Sequence, residues 1–102
     1  MSRITVLYPN TPHARFDMNY YTKSHIELVR SLLGDALVRV SVYQGLSGPG
    51  GAPPAFVALT ELDFRDMPSM GQALGKHGEE IARDVANFTT ITPTVQIAEK
   101  IL

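Results

Sequence analysis

The sequence contains no cysteine and no tryptophan, and neither sign of charge dominates it. The lack of cysteine excludes a disulfide framework, a thiolate zinc site and a cysteine nucleophile. Nine Lys and Arg residues are balanced by ten Asp and Glu residues, which gives a formal net charge of −1. This balance argues against a nucleic-acid binder, which normally carries a basic patch, and against electrostatic attachment to a membrane surface.

Long apolar runs are also missing. No run approaches the roughly 18 residues of a membrane span, and the segment after Met1 is typical of a strand rather than of a secretory signal. We therefore expect no membrane span and a cytoplasmic location, which agrees with the lack of cysteine. The 102 residues are 44% hydrophobic and 19% charged, and they predict one globular domain spanning residues 1–102.

Hydrophobic patterns and turn residues predict the element order β-α-β-β-α-β. The strands are expected over residues 3–8, 36–46, 55–64 and 89–98. Helices are expected from Asp17 to about Leu33 and from Asp66 to about Asn87, because each aspartate can cap a helix N-terminus. This order predicts a ferredoxin-like α+β sandwich, a four-stranded antiparallel sheet with two helices on one face.

The predicted strands carry apolar residues on both faces. Ile4 and Val6 share one face of the first strand, whereas Leu7 points to the other face. In the third strand, Leu59 and Ala58 likewise point to different faces. A sheet with one exposed face normally shows a cleaner alternation. The pattern therefore predicts a homodimer that pairs through the open sheet face; a locally twisted sheet is the alternative.

Two histidines fall on the predicted core stripes of the helices. Their neighbours on these stripes are Tyr21, Leu28 and Leu32 around His25, and Met70, Leu74, Ile81 and Val85 around His77. An inward imidazole can act as a general acid or base, or as a metal or haem ligand. The alternative is that each imidazole only packs, with a hydrogen bond to a carbonyl, a threonine or a tyrosine.

A row of glycines lies beside the second stripe, at Gly71, Gly75 and Gly78. Each glycine inside a helix costs about 1 kcal/mol relative to alanine. The row therefore indicates either a close approach of the first helix or room for a ligand or for a loop of a second chain.

Signatures of common cofactor and nucleic-acid sites are missing. His25 and His77 supply two ligands, whereas a mononuclear catalytic metal site usually takes three. The sequence contains no dinucleotide or phosphate-loop motif, and the third strand lacks the aromatic and basic run of RNA-recognition domains. We therefore expect no metal, no cofactor and no nucleic-acid partner.

The chain resembles the EthD (ethyl tert-butyl ether degradation) family over nearly its whole length. The matching residues are Val6-Leu7-Tyr8-Pro9-Asn10, Arg15 to Met18, Tyr20-Tyr21 with His25, the Gly- and Pro-rich loop, His77, and Asn87-Phe88-Thr89. The resemblance implies a dimeric α+β barrel, in which two ferredoxin-like sheets pack face to face. It also implies a ligand site between sheet and helices, near Tyr21, His25 and His77.

The resemblance leads to two functional hypotheses. The first is an enzyme that binds a small apolar or aromatic metabolite and oxidises or isomerises it, as related cofactor-independent monooxygenases do. Its catalytic candidates are His25 as general acid or base, Tyr21 as the hydrogen-bond partner of His25, and His77 as a second polar group. The second hypothesis is a non-catalytic accessory protein of an oxygenase or degradation pathway. Haem bound by His77 near Asn10 is a further alternative, because a second-helix histidine ligates haem in some superfamily relatives.

Overall fold

The computed structural model describes all 102 residues and confirms the predicted α+β architecture. Four strands form one antiparallel sheet in the order β2-β3-β1-β4, and two helices, α1 and α2, pack on one face. The strands are β1 Ser2–Pro9, β2 Leu37–Gln44, β3 Phe56–Phe64 and β4 Thr94–Glu99. Helix α1 consists of Met18–Tyr20, Tyr21–His25 and Ile26–Leu33, and helix α2 spans Met67–Asp84.

Helix α1 begins as predicted, because the side chain of Asp17 accepts a hydrogen bond from the backbone N–H of Tyr20 at 3.0 Å. Its second segment, Tyr21–His25, is a π-helical turn, which contains one residue more than an α-helical turn. The predicted stripe is therefore wrong after His25. The inward positions are Ile26, Val29 and Leu33 instead of Leu28 and Leu32, because the extra residue moves the stripe on by one position.

Strand β4 begins later than predicted, at Thr94 rather than at residue 89. Pro93 has no N–H to donate to a sheet, so the ladder cannot extend through it. The preceding residues pair elsewhere: Thr89 forms a β-bridge with Phe16, and its hydroxyl donates to the carbonyl of Arg15 at 2.6 Å. These bonds fasten the segment before α1 to the segment after α2.

Strand β2 contains an irregularity that changes one predicted face. Alternation along the sequence predicts one shared face for Val38, Val40 and Val42, but the register shifts between Leu37 and Arg39. Leu37 and Val40 pack against the core, whereas Val38 is half exposed. The bulge adds one unpaired residue, which reverses the direction of the side chains on one side of it.

The helix-facing side of the sheet forms the core, but the helices do not cover it evenly. Ile4 of β1 and Phe64 of β3 are buried beneath Val29 of α1. Val95 and Ile97 of β4 are paired with helix-facing residues of β1, yet they remain 57% and 55% exposed. The edge strand β4 is therefore the uncovered part of this face. Neither helix has the combination of length and apolar character that a bilayer crossing requires.

The opposite, open face of the sheet is apolar at one end and charged at the other. Leu7 and Leu59 are directly opposite each other in β1 and β3, and so are Arg3 and Asp63. The Arg3 guanidinium binds Asp63 through two nitrogens, at 2.7 and 3.3 Å, and it reaches Glu61 at 3.2 Å. The predicted second apolar face is thus correct for one end only, because charged residues occupy alternate positions at the other.

Candidate active site

A cavity of about 270 Å³ lies between the two helices and the sheet. Apolar side chains such as Val6, Leu62 and Ile81 form most of its wall, and no charged residue lines it. Its few polar groups come from His25, Thr60 and two tyrosines. A small molecule held here loses contact with water over most of its surface, so each of these polar groups gains importance for orientation.

His25 is the residue of this wall with the clearest chemical capacity. Its side chain is 5% exposed, and its Nδ1 atom lies 2.8 Å from Oδ2 of Asp84. A carboxylate only accepts hydrogen bonds, so Nδ1 carries the proton and the neutral ring keeps its lone pair at Nε2. Nε2 makes no hydrogen bond within the protein. Since every fully buried side-chain nitrogen and oxygen atom has a partner, Nε2 is not fully buried. Nε2 is therefore accessible from the cavity that His25 lines.

Asp84, the last residue of α2, is itself held from two further directions. Its Oδ1 atom accepts hydrogen bonds from the Tyr20 hydroxyl at 2.8 Å and from Asn87 Nδ2 at 2.9 Å. Partial burial acts to raise the pKa of Asp84, but the hydrogen bonds from Asn87, His25 and Tyr20 outweigh it and lower this pKa from its ordinary 3.8. The carboxylate is ionised at neutral pH and acts as a fixed acceptor for the imidazole.

Tyr21 lies beside His25 but does not form the predicted hydrogen bond with it. The two rings stack, with centroids 5.4 Å apart and an interplanar angle of 17°. The Tyr21 hydroxyl extends past the imidazole to Thr60 Oγ1, at 2.6 Å. Burial raises the pKa of Tyr21, although the bond to Thr60 opposes this, and burial also raises the pKa of Tyr8 in the same wall. Both phenols therefore stay protonated and can donate.

His77 does not lie in the cavity, so the prediction that it points toward the same space as His25 is wrong. It is half-buried in a shallow groove beside Leu33 and Lys76, close to the end of α1. The cavity contacts the other side of the α2 stripe, at Leu74, Gly78, Ile81, Ala82 and Val85. The stripe of a helix is wide enough to touch both α1 and the cavity, and His77 is on its α1 side.

The glycine row of α2 is not explained by a close approach of α1. A Cβ atom added at Gly71 or Gly75 meets no heavy atom within 4 Å, and one at Gly78 meets only Leu74 of the same helix, at 4.0 Å. Gly78 lines the cavity. The row therefore leaves open space along α2.

The residues proposed to hold haem are not brought together. His77 lies outside the cavity, and the side chain of Asn10 donates to the carbonyl of Pro54 at 3.0 Å in the loop region. The two residues therefore do not fit a haem site in this cavity. No group of three His, Asp or Glu side chains is placed to bind a metal ion.

Sequence reasoning missed the partner of His25. Asp84 is outside the apolar stripe, and so is its companion Asn87. One signal was present: an acidic residue in the last turn of a helix is disfavoured by the negative end of the helix dipole, so it needs a specific partner. Thr60 was missed because a threonine inside a strand is ordinary, and only its bond to Tyr21 distinguishes it.

Several solved structures are similar to this chain. An EthD-like protein from Ralstonia eutropha JMP134 is 40% identical, with a TM-score of 0.92 over 99% of this chain and 92% of that one. An ethyl tert-butyl ether degradation (EthD) family protein from Bacillus halodurans C-125 is 22% identical, with a TM-score of 0.71 over 99% of both chains.

A more distant likeness concerns the fold alone. SnoaB from Streptomyces nogalater, described as a cofactor-independent oxygenase, is 10% identical, with a TM-score of 0.60 over 99% of this chain and 94% of that one. No protein-family profile matches the chain, and no curated protein does.

Proposed function

Because this chain belongs to the EthD family, within the dimeric α+β barrel superfamily, we propose that it binds a small apolar or aromatic metabolite in the cavity and that His25 moves a proton on it. The observation that carries the proposal is the Asp84–His25 pair, 2.8 Å apart, at the wall of an otherwise apolar cavity. A carboxylate that fixes the tautomer of an imidazole at the wall of a cavity is the arrangement that general-base catalysis uses.

The arrangement suits the removal of a proton from a weakly acidic C–H or O–H group. The lone pair at Nε2 takes the proton, and Asp84 stabilises the imidazolium that forms. The protonated phenols of Tyr8 and Tyr21 are donors for the oxygen on which negative charge develops.

The resulting enolate or phenolate has two outcomes within this proposal. Return of the proton to another carbon is an isomerisation. In an oxidation the anion reacts with dioxygen to form a C–O bond, the peroxide takes the proton back from His25, and loss of water from the hydroperoxide leaves a carbonyl group. The fold shared with SnoaB supports the second outcome without a cofactor.

An exchange experiment tests the proton transfer without knowledge of the natural substrate. 2-Tetralone, an aromatic ketone with acidic α-protons, is incubated with the protein in D2O, and loss of its α-proton signal is followed by NMR. We expect the protein to accelerate the exchange and His25→Ala to lower the acceleration by about 10²-fold or more. His77→Ala is the matched control, and it should exchange at the wild-type rate.

Two results would contradict the proposal in different ways. Equal rates for wild type and His25→Ala would remove His25 from the reaction. Binding of the ketone, seen as shifts of its resonances, without any accelerated exchange would favour the non-catalytic accessory role.

We also propose that two copies pair through the open sheet face. Leu7 and Leu59 supply an apolar region. At the charged end, the carboxylates of Asp63 and Glu61 are balanced by the guanidinium groups of Arg3 and of Arg39, which is opposite Asp63 in β2. Leu59→Glu should convert a dimer into a monomer in sedimentation velocity. Met67→Glu, an exposed position on the helix side, is the control. A wild-type monomer would refute this pairing.

A further inference from the structure

The cavity reaches the space between α2 and β4. Gly78 and Ala82 of α2 line the cavity on this side, together with Val95 of β4. Gly71 and Gly75 repeat the position of Gly78 toward the start of α2, and Ile97 repeats that of Val95 toward the end of β4. Together these residues outline a groove. We call it the α2–β4 groove, and its residues are Gly71, Gly75, Gly78, Ala82, Val95 and Ile97.

The helical repeat and the strand register place these residues together. At 100° per residue, the three glycines and Ala82 fall within an arc of about 60° on α2. Gly78 and Ala82 of this arc line the cavity, whereas His77, about 130° from the centre of the arc, is on the side of α2 that faces α1. Val95 and Ile97 pair with Val6 and Ile4, so their side chains emerge on the helix-facing side of the sheet.

The glycines keep the groove open at a cost in stability. A glycine inside a helix destabilises it relative to alanine, and no packing contact compensates for this at Gly71 or Gly75. The floor of the groove is equally unprotected, because Val95 and Ile97 are more than half exposed. An apolar floor beneath an open helix side is suited to an apolar occupant.

A polar atom that has no protein partner, in a side chain that is otherwise largely buried, points to a ligand in the same space. The His25 side chain is only 5% exposed. Its Nε2 atom has no partner in the protein and faces the cavity. Polar groups are confined to this end, and neither the cavity wall nor the groove contains a charged residue. The continuous space is therefore polar at one end and apolar along the rest of its length.

We propose that the ligand is an elongated amphiphile, with an acidic or carbonyl-bearing ring at His25 and a neutral, unbranched apolar chain in the α2–β4 groove. This inference rests on the proposed function, because it places the reacting end of the ligand at Nε2. The apolar chain of the ligand runs over Val95 and Ile97 and along the glycines. A larger side chain at a glycine position would fill the groove.

A series of 4-alkylphenols, from 4-ethylphenol to 4-octylphenol, tests this inference by calorimetric titration. A methylene that is fully buried strengthens binding about fourfold, so one that is half-buried in an open groove should strengthen it about twofold. Gly75→Leu should abolish this dependence on chain length and leave the Kd of 4-ethylphenol unchanged. Glu80→Leu, which adds the same side chain at an exposed position elsewhere on α2, should behave as wild type.

A second variant keeps the test independent of the helix. Ile97→Ser shortens the apolar floor at an exposed position, and it should weaken 4-octylphenol binding several-fold without affecting 4-ethylphenol.

The outcomes separate this inference from the function on which it rests. If 4-ethylphenol binds and longer chains bind no more tightly, the groove proposal is overturned and the proposed function stands. If no member of the series binds, both are overturned. If Gly75→Leu leaves the phenol series unchanged but alters the sedimentation coefficient, a second copy of the chain covers the groove and the proposal is overturned.

Discussion

Replacement of Asp84 by asparagine should reverse the tautomer of His25 while it preserves the fold. Asparagine has nearly the same shape, and its carbonyl oxygen can accept the hydrogen bonds that Tyr20 and Asn87 now donate to Oδ1. Its NH2 group then occupies the place of Oδ2 and donates toward His25. Nδ1 must therefore become an acceptor, so the proton of the neutral ring moves to Nε2, where it blocks the lone pair.

The hydrogen bonds of the structure set the magnitude of this effect. A hydrogen bond to a charged group contributes about 1.5–3 kcal/mol net, so the Nδ1–H tautomer is favoured in the wild type by about tenfold to a hundredfold. In Asp84→Asn the preference should reverse, and base-catalysed exchange should fall by about 10²-fold. The free energy of unfolding should fall by only about 1 kcal/mol, because every donor keeps an acceptor.

Nitrogen NMR of histidine-labelled protein measures the tautomer directly, since protonated and unprotonated ring nitrogens resonate far apart. Urea denaturation of the same samples measures stability. The reasoning is refuted if His25 carries its proton on Nε2 in the wild type, or if Asp84→Asn leaves the tautomer unchanged.

Three further predictions concern stability. Gly71→Ala should raise the free energy of unfolding by about 0.5–1 kcal/mol because the added methyl has open space, whereas Gly34→Ala should lower it because Gly34 has φ +55°; thermal melts of both variants check this. Since the pKa of Asp84 is lowered in the fold, its ionisation stabilises the protein fully above pH 3.8, and this contribution is lost as pH falls from 3.8 through the folded pKa. Urea denaturation at a series of pH values from about 5 to about 2 should show an acid loss that Asp84→Asn lacks. Tyr21→Phe should cost about 1–2 kcal/mol because it leaves the buried Thr60 hydroxyl unpaired, and adding Thr60→Val should recover part of the loss in a denaturation cycle.

Most of the fold could be predicted from local patterns. The order of strands and helices follows from the alternation of apolar residues, and Asp17 and Asp66 mark the helix starts through hydrogen bonds within three residues of themselves. The errors lie where one extra residue enters a regular element. The π-helical turn at Tyr21–His25 and the bulge at Val38 each displace the pattern by one position, and neither leaves a signal in composition.

The candidate site was predictable only in part. Tyr21 and His25 could be placed at the inner side of α1, because residues four apart share a side in an α-helical turn and in a π-helical turn. His77 was misplaced because periodicity gives the direction of a side chain from its own helix and not the element that it meets there. The partner of His25 lies 59 residues away, and no local rule joins them.

The sequence by itself determined the element order, the sheet with helices on one face, the absence of thiol chemistry and the inward position of His25. These depend on periodicity, capping and composition, which act over a few residues. Only the tertiary structure decided that Asp84 holds the imidazole, that Tyr21 bonds to Thr60, and that the glycines of α2 border open space. Such pairings depend on how far the helices and the sheet are from one another, and this distance is set by the packing of the whole chain.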